Sequence, residues 1–171
     1  KGVTTVTCTA KDASNNMAMC SFTVTVNDNI PPAITCPANI SLNTAAGVCT
    51  AVATYTTPTP TDNCPGATAV CVPASGSTFQ KGVTTVTCTA SDTATPPNTT
   101  ACTFTVTVTD NQDPVIGACP TNITQPATTG ACNAAVTYTP PTATDNCGAA
   151  PVVCAPASGS TFNVGTTTVT C

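Results

Sequence analysis

Three observations on this 171-residue sequence predict an all-β fold built from disulfide-stapled repeats. Segments recur at a fixed spacing, apolar residues alternate with threonine along short runs, and 13 cysteines are spread singly through the chain. KGVTTVTCTA stands at Lys1–Ala10 and again at Lys81–Ala90, and VGTTTVTC stands at Val164–Cys171. PASGSTF occurs at Pro73–Phe79 and Pro156–Phe162, and Asp-Asn-Cys at Asp62–Cys64 and Asp145–Cys147. Cys36, Cys49, Cys64, Cys71 and Cys88 each recur 83 residues later, at Cys119, Cys132, Cys147, Cys154 and Cys171. Such self-similarity is the signature of an array of like units.

Unit boundaries are expected where Asp-Asn precedes proline, at Asp28-Asn29 with Pro31-Pro32 and at Asp110-Asn111 with Pro114. Proline fixes φ and stiffens a connector. Residues 29–110 then form one complete unit, 1–28 the last two strands of a preceding unit, and 111–171 a unit lacking those two strands. In the complete unit the first strands expected are Ile34–Cys36, Ile40–Asn43, Cys49–Tyr55 and Thr68–Val72. Val83–Ala90 follows, turning Val86, Cys88 and Ala90 inward, and Cys102–Val108 turns Phe104, Val106 and Val108 inward against outward threonines. Period-two alternation of this kind is the mark of a half-buried strand. Asn-Thr-Ala-Ala-Gly before Cys49, the Pro-Thr-Pro-Thr-Asp-Asn run before Cys64 and Ala-Ser-Gly-Ser after Pro73 supply the turns. No segment has helical spacing. About seven short strands in ~80 residues read as an immunoglobulin-like β-sandwich. With so few aromatic residues its core is thin, and disulfides make up for missing burial.

Composition excludes whole classes of function. Three Lys, seven Asp, no Glu, no Arg and no His give a net charge of −4, which cannot form the basic face that nucleic acid requires. No run approaches the ~18 apolar residues of a membrane-spanning helix. Without His or Glu, and with its cysteines committed to disulfides, the chain has no acid–base or nucleophilic machinery, and no enzyme is expected. Zinc is disfavoured because no C-x-x-C or C-x-x-x-x-C pair occurs and no His completes a mixed site. Cysteines at this density instead imply an oxidising compartment, outside the cell or at its surface. The absence of an initiator Met and the odd cysteine count imply a longer polypeptide, with the targeting signal elsewhere.

The motifs together resemble the hyalin repeat (HYR) domain family. The resemblance rests on Asp-Asn-x-x-Pro followed by Cys36-Pro37, on Pro-Thr-x-x-Asp-Asn-Cys ending at Cys64, and on Ser75–Phe79. It continues through Gly82–Ala90 with Asp92 and through Cys102-x-Phe104-x-Val106-x-Val108. It covers essentially the whole chain. One departure is the turn after Asp92, where Thr-Ala-Thr-Pro-Pro-Asn replaces the Gly-Asn frequent in the family. The resemblance implies an extracellular immunoglobulin-like module used in adhesion and surface arrays, with no family-wide enzyme activity. Six cysteines allow fifteen connectivities. Adjacency favours Cys71 with Cys88 on neighbouring strands, and Cys36 with Cys102. The family's members, lacking one pair or another, leave Cys49 with Cys64. In the next unit the same scheme joins Cys132 with Cys147 and Cys154 with Cys171. A strand from Cys49 to Tyr55 would carry the chain ~20 Å, so the third pair requires the Pro-rich segment after Tyr55 to fold back.

The few acidic residues gather at the expected junctions. Asp28, Asn29, Asp62, Asn63 and Asp92 form one candidate calcium set; Asp110, Asn111, Asp113 and Asp145 form the next. Calcium takes 6–8 oxygen ligands. The alternative is that Asp-Asn serves turn chemistry, capping its own backbone. Sequons at Asn39, Asn98 and Asn122 are candidate glycosylation sites. A lysine–asparagine isopeptide bond through Lys81 has only composition behind it. Partners are expected to be neighbouring repeats of the same polypeptide, or identical subunits joined head to tail by strand complementation. The favoured role is a structural segment of a secreted filament, stalk or surface adhesion protein. The rival is an adhesin module that recognises carbohydrate or protein, stiffened or not by calcium. Scarce and mostly inward aromatics favour the first.

Overall fold

The computed structural model describes residues 1–171 and is all-β, without a helix. Strands β1 (Gly2–Lys11) and β2 (Met17–Val26) form a separate antiparallel hairpin. Its turn is held by Asp12, whose carboxylate accepts the backbone N–H groups of Ser14 and Asn16 at 2.9 and 2.8 Å.

The central body contains β3 (Ile40–Asn43), β4 (Thr50–Val52), β5 (Thr68–Val72), β6 (Thr78–Gln80), β7 (Gly82–Ser91) and β8 (Thr99–Thr109). A four-stranded sheet runs in the order β3-β8-β7-β5, and β4 pairs with β6 in a second, two-stranded sheet. β3 lies parallel to β8, with Ile40 opposite Val106, and the other pairings are antiparallel. The expected first strand, Ile34–Cys36, is not one: only Ala33 makes a bridge, to Thr61. Proline on both sides, at Pro31-Pro32 and Pro37, withholds the N–H groups a ladder needs. The expected strand Cys49–Tyr55 is likewise cut to β4.

The alternation read from the sequence is the alternation observed. Val86, Cys88 and Ala90 of β7 and Phe104, Val106 and Val108 of β8 are buried, and the threonines between them face outward or are half-buried. Ala51 and Ala53 from the β4 side, Phe79 of β6 and Cys71 join Val86, Cys88, Phe104, Val106 and Val108 in a nine-residue core, so the core lies between the two sheets. Tyr55 closes it, its ring edge-on to Phe104 at a centroid distance of 5.0 Å. Only 17 residues of the chain are buried, so covalent staples must supply what burial does not. Cys71, Cys88 and Cys102 are direct cross-strand neighbours; Cys71 bonds Cys88, and Cys102 bonds Cys36. The two bonds therefore form a transverse row across the sheet.

Residues 111–171 carry β9 (Val115–Ile116), β10 (Asn133–Ala135), β11 (Ala143–Asp145), β12 (Gly148–Ala149) and β13 (Thr161–Asn163). β10 pairs with β13 as β4 does with β6, and β11 pairs with both β9 and β12. Cys154–Cys171 repeats Cys71–Cys88. Gly165–Cys171, which matches Gly82–Cys88 of β7, makes only an isolated bridge from Thr170 to Ala155, and Val115, Ile123, Val153 and Val164 are exposed.

Candidate functional site: the joint at Asp110–Asp113

The chain leaves β8 at Thr109 and enters residues 111–171 through Asp110-Asn111-Gln112-Asp113-Pro114. Three other parts of the chain converge on this short connector: the loop after β3, Lys81, and Asn146–Cys147. In the loop after β3, Ala45 accepts from Val48 and donates to Thr50, and Gly47 takes a positive φ of 73°. Glycine adopts that conformation without a Cβ clash. The loop thus presents Thr44, Val48 and Cys49 to the connector. Gln112 grips it: its side-chain N–H groups donate to Thr44 Oγ1 and the Ala45 carbonyl, both at 3.0 Å, and its Oε1 accepts the Gly47 N–H at 2.9 Å. Asn146, from the far side of the joint, donates to the Val48 carbonyl at 3.0 Å and to Thr44 Oγ1 at 3.4 Å. Lys81 sits 3.2 Å from the Asp110 carboxylate. A disulfide between Cys49 and Cys147 closes the assembly.

That bond corrects the sequence reading. Cys49 pairs with Cys147, 98 residues away, and Cys64 and Cys132 are both unpaired. The fold-back that Cys49–Cys64 would require does not occur. Cys64 instead lies at the opposite junction, beside Asp28 and Asp62. Cys8, Cys20 and Cys119 are also free thiols. Cys8 and Cys20 face each other across the hairpin without bonding, in the register that Cys88 and Cys102 hold within β7 and β8.

The candidate calcium residues divide. Asp28 and Asp62 come together with Cys64, and Asp110 and Asp145 with Cys147, the ligand atoms of each group lying within 4.8 Å of one another. Asp92 does not join them. Its carboxylate is spent on its own loop, accepting from Ala94 N–H at 3.0 Å, Asn98 N–H at 2.8 Å and the Asn98 side-chain amide at 2.8 Å. Burial pushes its pKa up, but the Asn98 side-chain amide and the two backbone N–H groups outweigh that and hold it below the ordinary value. Asp62 and Asp145 each accept the N–H of the cysteine two residues on, which is turn chemistry. In both groups the linker carboxylate already meets an ammonium: Lys81 at Asp110, and Lys1 at Asp28 at 3.7 Å. Asn29 and Asn111 are exposed.

The Cys64 thiol close beside Asp28 is the largest influence lowering the Asp28 pKa, and the Asp28 carboxylate is in turn the largest influence raising that of Cys64. Asp110 is held low first by the Gln112 backbone N–H, which outweighs the upward push from burial, and then by Lys81. Asp28 Oδ2 and Asp62 Oδ2 are buried without a hydrogen-bond partner, the Asp28 side chain being 1% exposed.

Among the sequons, Asn39 and Asn122 are exposed. The Asn98 amide nitrogen donates both to Asp92 and to the Asp28 carbonyl, at 2.8 and 3.1 Å, and is not free for a sugar in this fold.

The sequence reading also missed a clasp that occurs twice. Tyr55 N–H donates to Ser75 Oγ, Ser75 donates back to the Tyr55 carbonyl, and the Tyr55 hydroxyl donates to the Pro73 carbonyl. Tyr138 makes the same three bonds with Ser158 and Pro156. The signal was present: both tyrosines precede a PASGS segment at equal spacing.

The HYR domain matches the chain twice, over residues 27–108 and 109–171. The chain is similar to hyalin of Strongylocentrotus purpuratus, 38% identical over 96% of this chain and 14% of that protein. It is also similar to hyalin of Lytechinus variegatus, 36% identical over 99% of this chain and 33% of that protein. It therefore spans a third or less of the length of these relatives. No solved structure matches significantly.

Proposed function

The chain belongs to the HYR domain family, and on that premise we propose that it is a structural segment of an extracellular tandem array, its units immunoglobulin-like sandwiches laid end to end. The observation that carries this reading is the joint. Gln112 of the connector and Asn146 beyond it both hold the Thr44–Cys49 loop, Lys81 pairs with Asp110, and Cys49–Cys147 bridges the joint, so one unit is built to hold the next at a set angle. A freely hinged string would leave that connector unbonded. Four disulfides fit an oxidising compartment outside the cell. Small-angle scattering on the native protein tests the proposal: a rod whose length grows in proportion to the number of units supports it, and a compact or hinged particle refutes it.

Calcium is a second reading, favoured by one observation. Asp28 Oδ2 and Asp62 Oδ2 are buried without a hydrogen-bond partner, and a carboxylate pair of that kind suits a divalent ion that displaces the Lys1 ammonium 3.7 Å from Asp28 Oδ2. A rise in melting temperature on adding calcium, reversed by EDTA, supports it; an unchanged transition removes it. The rival role, recognition of sugar or protein, has little aromatic surface behind it: Tyr55 and Tyr138 are engaged in the clasps, and Phe22 on β2 is a single exposed ring.

A further inference from the structure

Both halves of the Cys49–Cys147 bond occur a second time in the chain, folded and unbonded. Cys132 ends a loop with the same backbone pattern as the loop before Cys49. Thr128 accepts from Ala131 and donates to Asn133, both at 2.9 Å, and Gly130 takes a φ of 81° where Gly47 takes 73°. Val164 N–H donates to the Cys132 carbonyl as Lys81 N–H does to that of Cys49. Cys64 repeats the other half: its N–H donates to Asp62 at 2.8 Å, as that of Cys147 does to Asp145. Neither thiol has a partner.

We propose that Cys64 and Cys132 are open halves of the same clamp and bond thiols of adjoining HYR repeats. Cys132 takes the cysteine standing at the place of Cys147 in the repeat that follows, and Cys64 the cysteine at the place of Cys49 in the repeat before. This rests on the array reading above. The surroundings agree with it. Both asparagines lie against the sulfur of the next cysteine, but Asn146 is half-buried under the Thr44–Cys49 loop and donates to it, whereas its counterpart Asn63 is exposed and donates to Asp28. Ile30 occupies the place of Gln112 and is 58% exposed, an apolar side chain that the incoming loop would cover. At that joint apolar contact replaces the amide grip.

The bond forms by exchange with a small disulfide such as oxidised glutathione. One cysteine thiolate attacks it, giving a mixed disulfide and one reduced thiol. The second cysteine thiolate attacks the protein sulfur and releases the other reduced thiol. One S–S bond forms in the protein, one is lost from the oxidant, and two electrons and two protons pass to it.

The test uses the native protein, denatured in N-ethylmaleimide without reduction, digested with thermolysin and mapped by mass spectrometry. The expected map shows Cys64 and Cys132 unlabelled, each linked to a repeat peptide whose cysteine holds the Cys49 or the Cys147 position. Label on either residue, or bonds Cys49–Cys64, Cys132–Cys147, or to Cys8, Cys20 or Cys119, overturns the clamp. Intact mass separates this from the array itself. A long repeat polypeptide labelled at Cys64 refutes the clamp and spares the array, whereas a mass of a single unit refutes the array. Gels with and without reductant identify the source of the partner. A fall in size on reduction places it on a separate chain, an unchanged size on the same polypeptide, and the linked peptides support the clamp in both. In a Cys147→Ser variant Cys49 is expected to become labelled while Cys36–Cys102 stays intact; capture of Cys49 by Cys64 would contradict the proposal.

Discussion

Asp92 shows how one carboxylate can organise a loop. It is buried, and three N–H groups converge on it. Hydrogen bonds to a charged group contribute about 1.5–3 kcal/mol each, although losses within one cluster do not add. Asp92→Ala is expected to lower unfolding stability by about 3 kcal/mol in urea titration, with Asn98→Ala costing less because both backbone N–H bonds to the carboxylate survive. Asp12, Asp28, Asp92 and Asp110 share one sign: each is held below the ordinary carboxylate value in the folded chain. Their contribution is complete above the unfolded value of about 3.9 and is lost as pH falls through the lower folded values. Melting temperature should therefore be flat from neutral pH down to about pH 4 and fall below it. A fall that begins near pH 6 would point to some other group. The Tyr55 hydroxyl offers a smaller test: Tyr55→Phe keeps the ring against Phe104 and removes only the bond to Pro73, for a loss of about 1 kcal/mol.

At the scale of single strands, β1–β2 and β7–β8 are nearly the same hairpin in two settings. Val106 in β8 is fully buried, and its counterpart Val24 in β2 is 43% exposed. Val106→Ala is expected to cost about 2 kcal/mol by loss of burial and a residual cavity, and Val24→Ala less than about 0.5 kcal/mol in this chain. Equal costs would mean that the hairpin is covered in solution. The inward face of β7 and β8 was legible in the sequence because threonine alternation leaves little doubt about which residues share a side. Cys71–Cys88 followed from the adjacency of two such strands. The partner of Cys49 did not follow, because strand counting treats each unit as closed and an even six cysteines per unit raises no alarm. A clue was there nonetheless. Asp62-Asn63 was expected at the junction, and Cys64, the next residue, had to lie there too, as Cys147 does beside Asp145. The calcium set failed to gather fully for a related reason. Sequence shows which loops lie at one end, but not that Asp92 turns its carboxylate back on Asn98.

For the molecule as a whole, the joint links the stability of neighbouring units. In the chain-entropy view a bond closing about 100 residues stabilises by up to about 4.7 kcal/mol. Cys49→Ser with Cys147→Ser should remove part of that and leave Gln112 and Asn146 to hold the connector alone. Calorimetry is expected to show one transition dividing into two, and protease to gain access near Asp113-Pro114; a single unaltered transition would show that the amide grip suffices. The same bond determines what happens when such a chain is pulled from its ends. Tension arriving at Cys49 crosses directly to Cys147, and the 98-residue span between them stays slack. The Cys36–Cys102 bond limits what can be released: with Cys49–Cys147 cut, tension crosses from Cys36 to Cys102 and only the stretch from there to Cys147 can be drawn out, about 150 Å. A fibre tethered in this way should refuse to lengthen by that step until a reductant cuts the sulfur bridge, and then yield it all at once.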